Sequence, residues 1–171
     1  VFIFAVTVFV AQAQSPTNQD CPNAIPICNT TYSTVISYSG TGNIPNEINN
    51  GSSCLLSGER NDVWYTFTTP FFGNLNFTIT PNNPADDYDW AVYNLTTATC
   101  ADIFTNPSIE VSCNYAPNLG CNGTTGPNNQ TAGPCGGQNN PIIPVTPGQT
   151  YVINVSNFSS TQSGYTIDFT A

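Results

Sequence analysis

Three carboxylates fall within four residues at Asp86-Asp87-Tyr88-Asp89. Like charges at that spacing repel unless a cation or hydrogen-bond donors intervene. Calcium, a hard ion taking about six to eight oxygens, fits such a cluster, with Asn82, Asn83 or loop carbonyls completing the shell. Two other readings stand beside it: one Asp caps turn amides while the others are solvated, or two of them form a catalytic pair. The chain has no histidine and no lysine, and its single basic residue is Arg60. Ser-His, Cys-His and His-metal sites are therefore excluded. Glycoside hydrolysis is the hydrolytic mechanism this composition still permits, because it runs on two carboxylates. Glu59, Asp62 and Glu110 add acids to the cluster, but no spacing singles out an acid and a nucleophile.

Sugar binding has a different mark, flat rings left in solvent. Phe71 and Phe72 sit in a turn between Pro70 and Gly73, where two adjacent rings cannot both point inward, so at least one is expected to be exposed. A plug at the end of the core is the alternative. Trp64 and Trp90 lie in expected strands and are expected to be core. The net charge of -9, with one basic residue against ten acids, argues against nucleic acid and anionic membranes as partners, since both need clusters of Lys and Arg.

The elements that must position these residues are strands. Asn, Thr, Gly and Pro are abundant, apolar residues show no sustained helical period, and these types are poor helix formers. Alternation and β-branched or aromatic content predict strands over 32–38, 63–68, 75–80, 89–93, 109–113, 150–156 and 164–169. A strand entered at Asp87 puts Asp87 and Asp89 on one face and Tyr88, Trp90 and Val92 on the other. In the strand over 150–156, Tyr151, Ile153 and Val155 mark a core face. Two segments share the order strand, Thr-Pro, Gly, strand: Thr69-Pro70 to Gly73, and Thr146-Pro147-Gly148. Each reads as a hairpin. Residues 114–141 are almost wholly polar, Gly and Pro, and read as a long loop stapled by a disulfide and offering a contact surface.

Residues 1–10 form an uncharged apolar run followed by Ala11-Gln12-Ala13, the pattern of a secretory signal cleaved after Ala13. Without an initiating Met or a charged leader, the signal reads as truncated. Residues 14–171 then form one domain, a fragment of a longer protein, with no membrane span. The seven cysteines all follow the cleavage point, and in an exported chain they are expected to form disulfides rather than a metal cluster. The spacing favours Cys100 with Cys113, Cys121 with Cys135, and Cys54 with Cys21 or Cys28, leaving one thiol over.

The order of motifs, Asp87-x-Asp89 opening a strand, then Pro147-Gly148-x-x-Tyr151, then Ser163-Gly164-Tyr165, resembles the bacterial pre-peptidase C-terminal domain. It is most similar to the Cys-containing relatives near the N-termini of secreted surface proteins of gliding Gram-negative bacteria. The resemblance covers about residues 60–171, and Cys21-Pro22 to Ile27-Cys28 matches only the closer relatives. It implies a jelly-roll-like antiparallel β-sandwich, extracellular or at the cell surface. The module it implies is non-catalytic, an accessory or adhesion domain that binds polysaccharide or a neighbouring protein domain. A spacer or export-assisting segment is the alternative.

Overall fold

The computed structural model describes residues 17–161 and 163–170; the apolar run and cleavage pattern of residues 1–13 lie outside them. Twelve strands appear: β1 (Ile25–Pro26), β2 (Thr31–Thr34), β3 (Val63–Thr68), β4 (Gly73–Leu75), β5 (Thr78–Pro81), β6 (Tyr88–Asn94), β7 (Glu110–Asn114), β8 (Gly126–Pro127), β9 (Asn139–Asn140), β10 (Ile143–Val145), β11 (Thr150–Asn157) and β12 (Tyr165–Asp168). A four-residue α-helical turn, α1 (Asp102–Thr105), precedes β7, and three short 3-10 turns lie elsewhere among the described residues.

The main sheet has the order β1-β3-β11-β6-β7, antiparallel except for β1 beside β3. Facing it are β2-β12-β5 and the pair β10-β4. Between these layers lies the larger core: Val63, Tyr65, Trp90, Val92, Ile153 and Val155 from the main sheet meet Leu75, Phe77, Ile79, Ile143, Tyr165 and Ile167. The expected β-sandwich is present, and Trp64 and Trp90 are both fully buried as expected.

The main sheet is covered on its other face too. Trp64, Ala91, Tyr93 and Val152 pack there against Cys21, Ile48, Leu55 and Ile103. One core face was expected for β11; both are buried, and the polar residues on its second face are paired, Asn154 Nδ2 donating to Asp62 Oδ2 at 2.7 Å and Ser156 Oγ to Asn154 Oδ1 at 2.8 Å. Burial of a polar side chain is tolerated when its hydrogen bonds are made.

The two Thr-Pro segments are not hairpins. Residues 69–72 carry the chain from β3 in the main sheet to β4 in the facing layer, and residues 146–149 carry it back from β10 to β11. The two crossings then pair with each other: β3 with β11, β4 with β10. Thr69 N donates to Gln149 O at 2.8 Å and Gly148 N to Thr69 O at 2.7 Å, while the Thr69 hydroxyl donates to Thr146 O. Pro and Gly serve a turn in either arrangement, so the local signal did not distinguish them.

Two disulfide assignments change. Cys21 bonds to Cys100 and Cys54 to Cys113, in place of the short Cys100–Cys113 loop and a Cys54 bond to Cys21 or Cys28. Both bonds tie the covering layer to the main sheet and its flank, a long-range relation that spacing does not encode. Cys121–Cys135 forms as expected, and the thiol left over is Cys28, which is exposed.

The 114–141 segment is stapled but not loose. Thr125 bridges Ile79, accepts from Trp90 Nε1 at 2.9 Å and donates to Gln138 O at 2.5 Å. Gly126 passes so close to β5 that a Cβ there would lie 2.1 Å from Phe77 O. Asn114, Asn118, Asn128 and Asn140 side chains bond the loop to itself and to the sheet. A polar network supplies the order that the missing apolar surface cannot.

Candidate functional site

At one end of the main sheet, three neighbouring strands bring together residues far apart in sequence. Phe158 N donates to Asp87 O at 2.9 Å, so the exit of β11 runs beside the entry of β6. On the other side Trp90 faces Asn114 of β7, and the chain continues through Tyr115 past Asp89. Alternation puts Asp87, Asp89, Phe158 and Tyr115 on the same face. The covering layer stops there at Leu56 and Ser57, and the gap is a cleft of about 280 Å³, with Pro117 completing its wall.

Asp89 is 9 % exposed, and its Oδ1 is buried with no hydrogen-bond partner. Burial first, then the neighbouring Asp87 charge, pushes its carboxyl up to about 7. Asp87 is also raised by burial, against a 3.1 Å hydrogen bond accepted from Asn118 N. Arg60 stacks its guanidinium 4.5 Å from the centre of the Phe158 ring and donates to Ser160, so it eases Asp89 only through space. Tyr115 and Phe158 leave roughly half of their surface in solvent. Carboxylate acceptors between flat, partly exposed rings can hold the hydroxyls and the apolar face of a sugar at once.

Asp86 turns away from this cleft. It is buried and saturated, accepting from Asn83 Nδ2 at 3.1 Å and from Thr161 Oγ1 at 2.5 Å. Asp87 and Asp89 are thus brought together and Asp86 is not. Among the described residues, the only trio of potential ligands with atoms within 4.8 Å of one another is Cys54, Glu110 and Cys113, and its two sulfurs are bonded to each other.

Phe71 and Phe72 are both in solvent, at 77 % and 80 % exposure, where at least one was expected. They stand over a groove of about 390 Å³ floored by Ile27, Phe67, Leu75, Val145 and Phe169. Because neither ring is packed in the core, replacing both by alanine is expected to move the unfolding midpoint by no more than about 1–2 °C, within the usual range for surface substitutions. A scanning calorimetry trace of F71A/F72A that fell by 10 °C would restore the plug reading.

Sequence reasoning missed the cleft's aromatic walls, Tyr115 and Phe158, whose relation to Asp89 depends on β11 inserting between β3 and β6. It also missed a buried acid group beneath the covering layer. There Asp20 clamps the loop, accepting from Asn43 N and Ile44 N at 2.8 and 2.6 Å. Burial pushes Asp20 up, but the hydrogen bonds from Thr17, Ile44 and Asn43 outweigh it and hold the carboxyl below its ordinary range. Glu47 accepts from Cys21 N at 3.0 Å, Glu47 N donates to Glu59 Oε2 at 2.9 Å, and the two carboxyls share a hydrogen bond. Burial raises Glu47 to about 7; burial and the Asp62 charge raise Glu59 to about 9; burial raises Asp62 to about 7. Glu110, the other acid considered for hydrolysis, is instead engaged by Ser53 Oγ at 2.5 Å and Cys54 N at 3.3 Å.

No helix among the described residues is long and apolar enough to cross a membrane. A search of curated proteins finds no match. Against protein families, residues 17–109, just over half the chain, match the T9SS-associated family described as galactose binding domain-like. This supports the general kind expected, an accessory module of proteins exported by gliding bacteria, rather than the pre-peptidase assignment itself. It also shifts the weight of the likeness toward the N-terminal half, where the covering layer and three of the paired cysteines lie. With a disulfide-tied β-sandwich and this match over its first half, the chain belongs to the T9SS-associated galactose binding domain-like family.

Proposed function

We propose that this domain is a non-catalytic carbohydrate-binding module of an extracellular or cell-surface protein, and that it holds sugar in the cleft of Asp87, Asp89, Tyr115 and Phe158. The observation that carries the reading is the Asp89 carboxylate: nine-tenths buried, with an orphaned oxygen, between two half-exposed rings. A buried acceptor left unpaired is costly, and a turn of the Asp89 carboxyl toward the cleft, where a sugar hydroxyl donates to it, recovers that cost on binding. Calcium is the competing occupant, with Asp87 and Asp89 supplying two of its several oxygens.

A glycan array followed by isothermal titration tests the reading. Binding is expected, with D89A and Y115A each weakening it at least tenfold, the effect of losing one buried charge-assisted hydrogen bond or one stacking ring. Absence of binding to any glycan at millimolar concentration, with or without calcium, would reject it.

The apolar groove under Phe71 and Phe72 favours a second reading, contact with a neighbouring protein domain. Its floor is aliphatic and aromatic, which suits an apolar side-chain cluster better than a sugar.

A further inference from the structure

We infer that the cleft selects sugars bearing a free amine, binding the ammonium group between the Asp87 and Asp89 carboxylates with the Tyr115 and Phe158 rings beside it. This rests on the sugar-binding reading above and narrows it to a ligand class.

The charge balance of the cleft is the reason. Two carboxylates line one small cavity, and the chain's single cation is already engaged by Phe158 and Ser160. A neutral sugar can hydrogen-bond the Asp89 carboxyl, but it leaves that group poorly solvated beside Asp87, where its ionisation is held back. An ammonium supplies three donors and the missing positive charge together. Aromatic faces attract the same group, since the ring quadrupole is negative above its plane. Calcium answers the charge less well: Asp86, the third carboxylate of the cluster, is turned away and engaged by Asn83 and Thr161, so more of the shell falls to neutral oxygens. One oxygen of Asp87 is already taken by Asn118 N. A cleft of about 280 Å³ is at the small end of ligand pockets and suits one ring rather than an extended basic peptide.

The test compares three sugars on one scaffold, galactosamine, N-acetylgalactosamine and galactose, by isothermal titration with the whole chain at pH 7, where Asp89 is free to ionise. Galactosamine is expected to bind at least tenfold tighter than either of the others, and D89N to collapse that ratio to near one. Should galactose and galactosamine bind equally, the amine selectivity is wrong while sugar binding stands. Should none of the three bind, and the glycan array also be blank, both readings fall. Lysine amide binding as tightly as galactosamine would assign the cleft to protein amines and overturn the proposal. So would calcium alone titrating into the cleft and losing its binding in D89N.

Discussion

Replacing Cys21 and Cys100 together by serine is expected to lower the unfolding midpoint by on the order of 10–15 °C. The bond closes a loop of 79 residues. In the chain-entropy account, a loop of that length stabilises the fold by about 4 kcal/mol, against ~3 for the 14-residue loop closed by Cys121–Cys135. One kcal/mol moves the midpoint of a domain this size by roughly 2–4 °C. Cys21 itself is buried within the covering layer, beside the Glu47 carboxylate. Calorimetry of C21S/C100S beside C121S/C135S checks the ranking; equal losses would mean that loop length does not set the contribution here. The C54S/C113S pair, closing 59 residues, should fall close to the first.

Stability is also expected to fall as pH rises from 5 to 9, by on the order of 10 °C in midpoint. Glu47, Glu59 and Asp62 are buried together with Asp20, and no basic side chain is among the groups that shift them. Their folded values, about 7, 9 and 7, lie above the ordinary carboxyl range that the unfolded chain shows. Below that range both states hold the protons and nothing is lost. Above it the unfolded chain releases them while the folded protein retains them, so stability drops until the pH has passed the folded values. Each unit of upward shift corresponds to about 1.4 kcal/mol, so one unit per group already amounts to about 4 kcal/mol. Glu59→Gln keeps the acceptor for Glu47 N without a titrating proton, and is expected to flatten the slope and to raise the midpoint above wild type at pH 9. A midpoint that is flat or rises across this window, or an E59Q variant with the wild-type slope, would show that these carboxyls are charged and solvated in the folded protein.

The strands that were legible are those whose residues answer to one strong constraint. β3 appears over the predicted span, and β6, β7, β11 and β12 lie within one or two residues of it, because dense burial forces β-branched and aromatic residues into them. The 75–80 span was expected to be one strand and is two: Leu75 ends β4 and Thr78 opens β5, since the chain changes partner from β10 to β12 between them. That break follows from pairing and leaves no local mark. β2 ends at Thr34 rather than at 38, where its partner β12 runs out at Tyr165. For the site, the alternation of Asp87 and Asp89 against Tyr88 and Trp90 was readable from the strand period. The walls were not, because Tyr115 and Phe158 reach Asp89 only through a strand order that skips along the chain. The disulfides show the same division: the short Cys121–Cys135 loop was readable, whereas the two long ones depend on a covering layer that has no period of its own.

The place of β11 bears on how the protein folds. It lies between β3 and β6, pairing with both along nearly its full length, yet it comes after residue 149. A chain emerging from its N-terminus therefore presents β3 and β6 with no shared neighbour until Thr150 and the residues after it arrive. Closure of the sheet must wait for pairings as distant in sequence as Val63 with Val155 and Tyr88 with Asn157, which places the domain among slow folders of high contact order. Cys21–Cys100 and Cys54–Cys113, by contrast, both lie ahead of that strand and are free to form while the gap is still open. Oxidation can thus fix the covering layer over an unfilled slot. β11 then inserts into a cross-linked half, with fewer ways to misplace the exposed edges that make late-closing sheets aggregate.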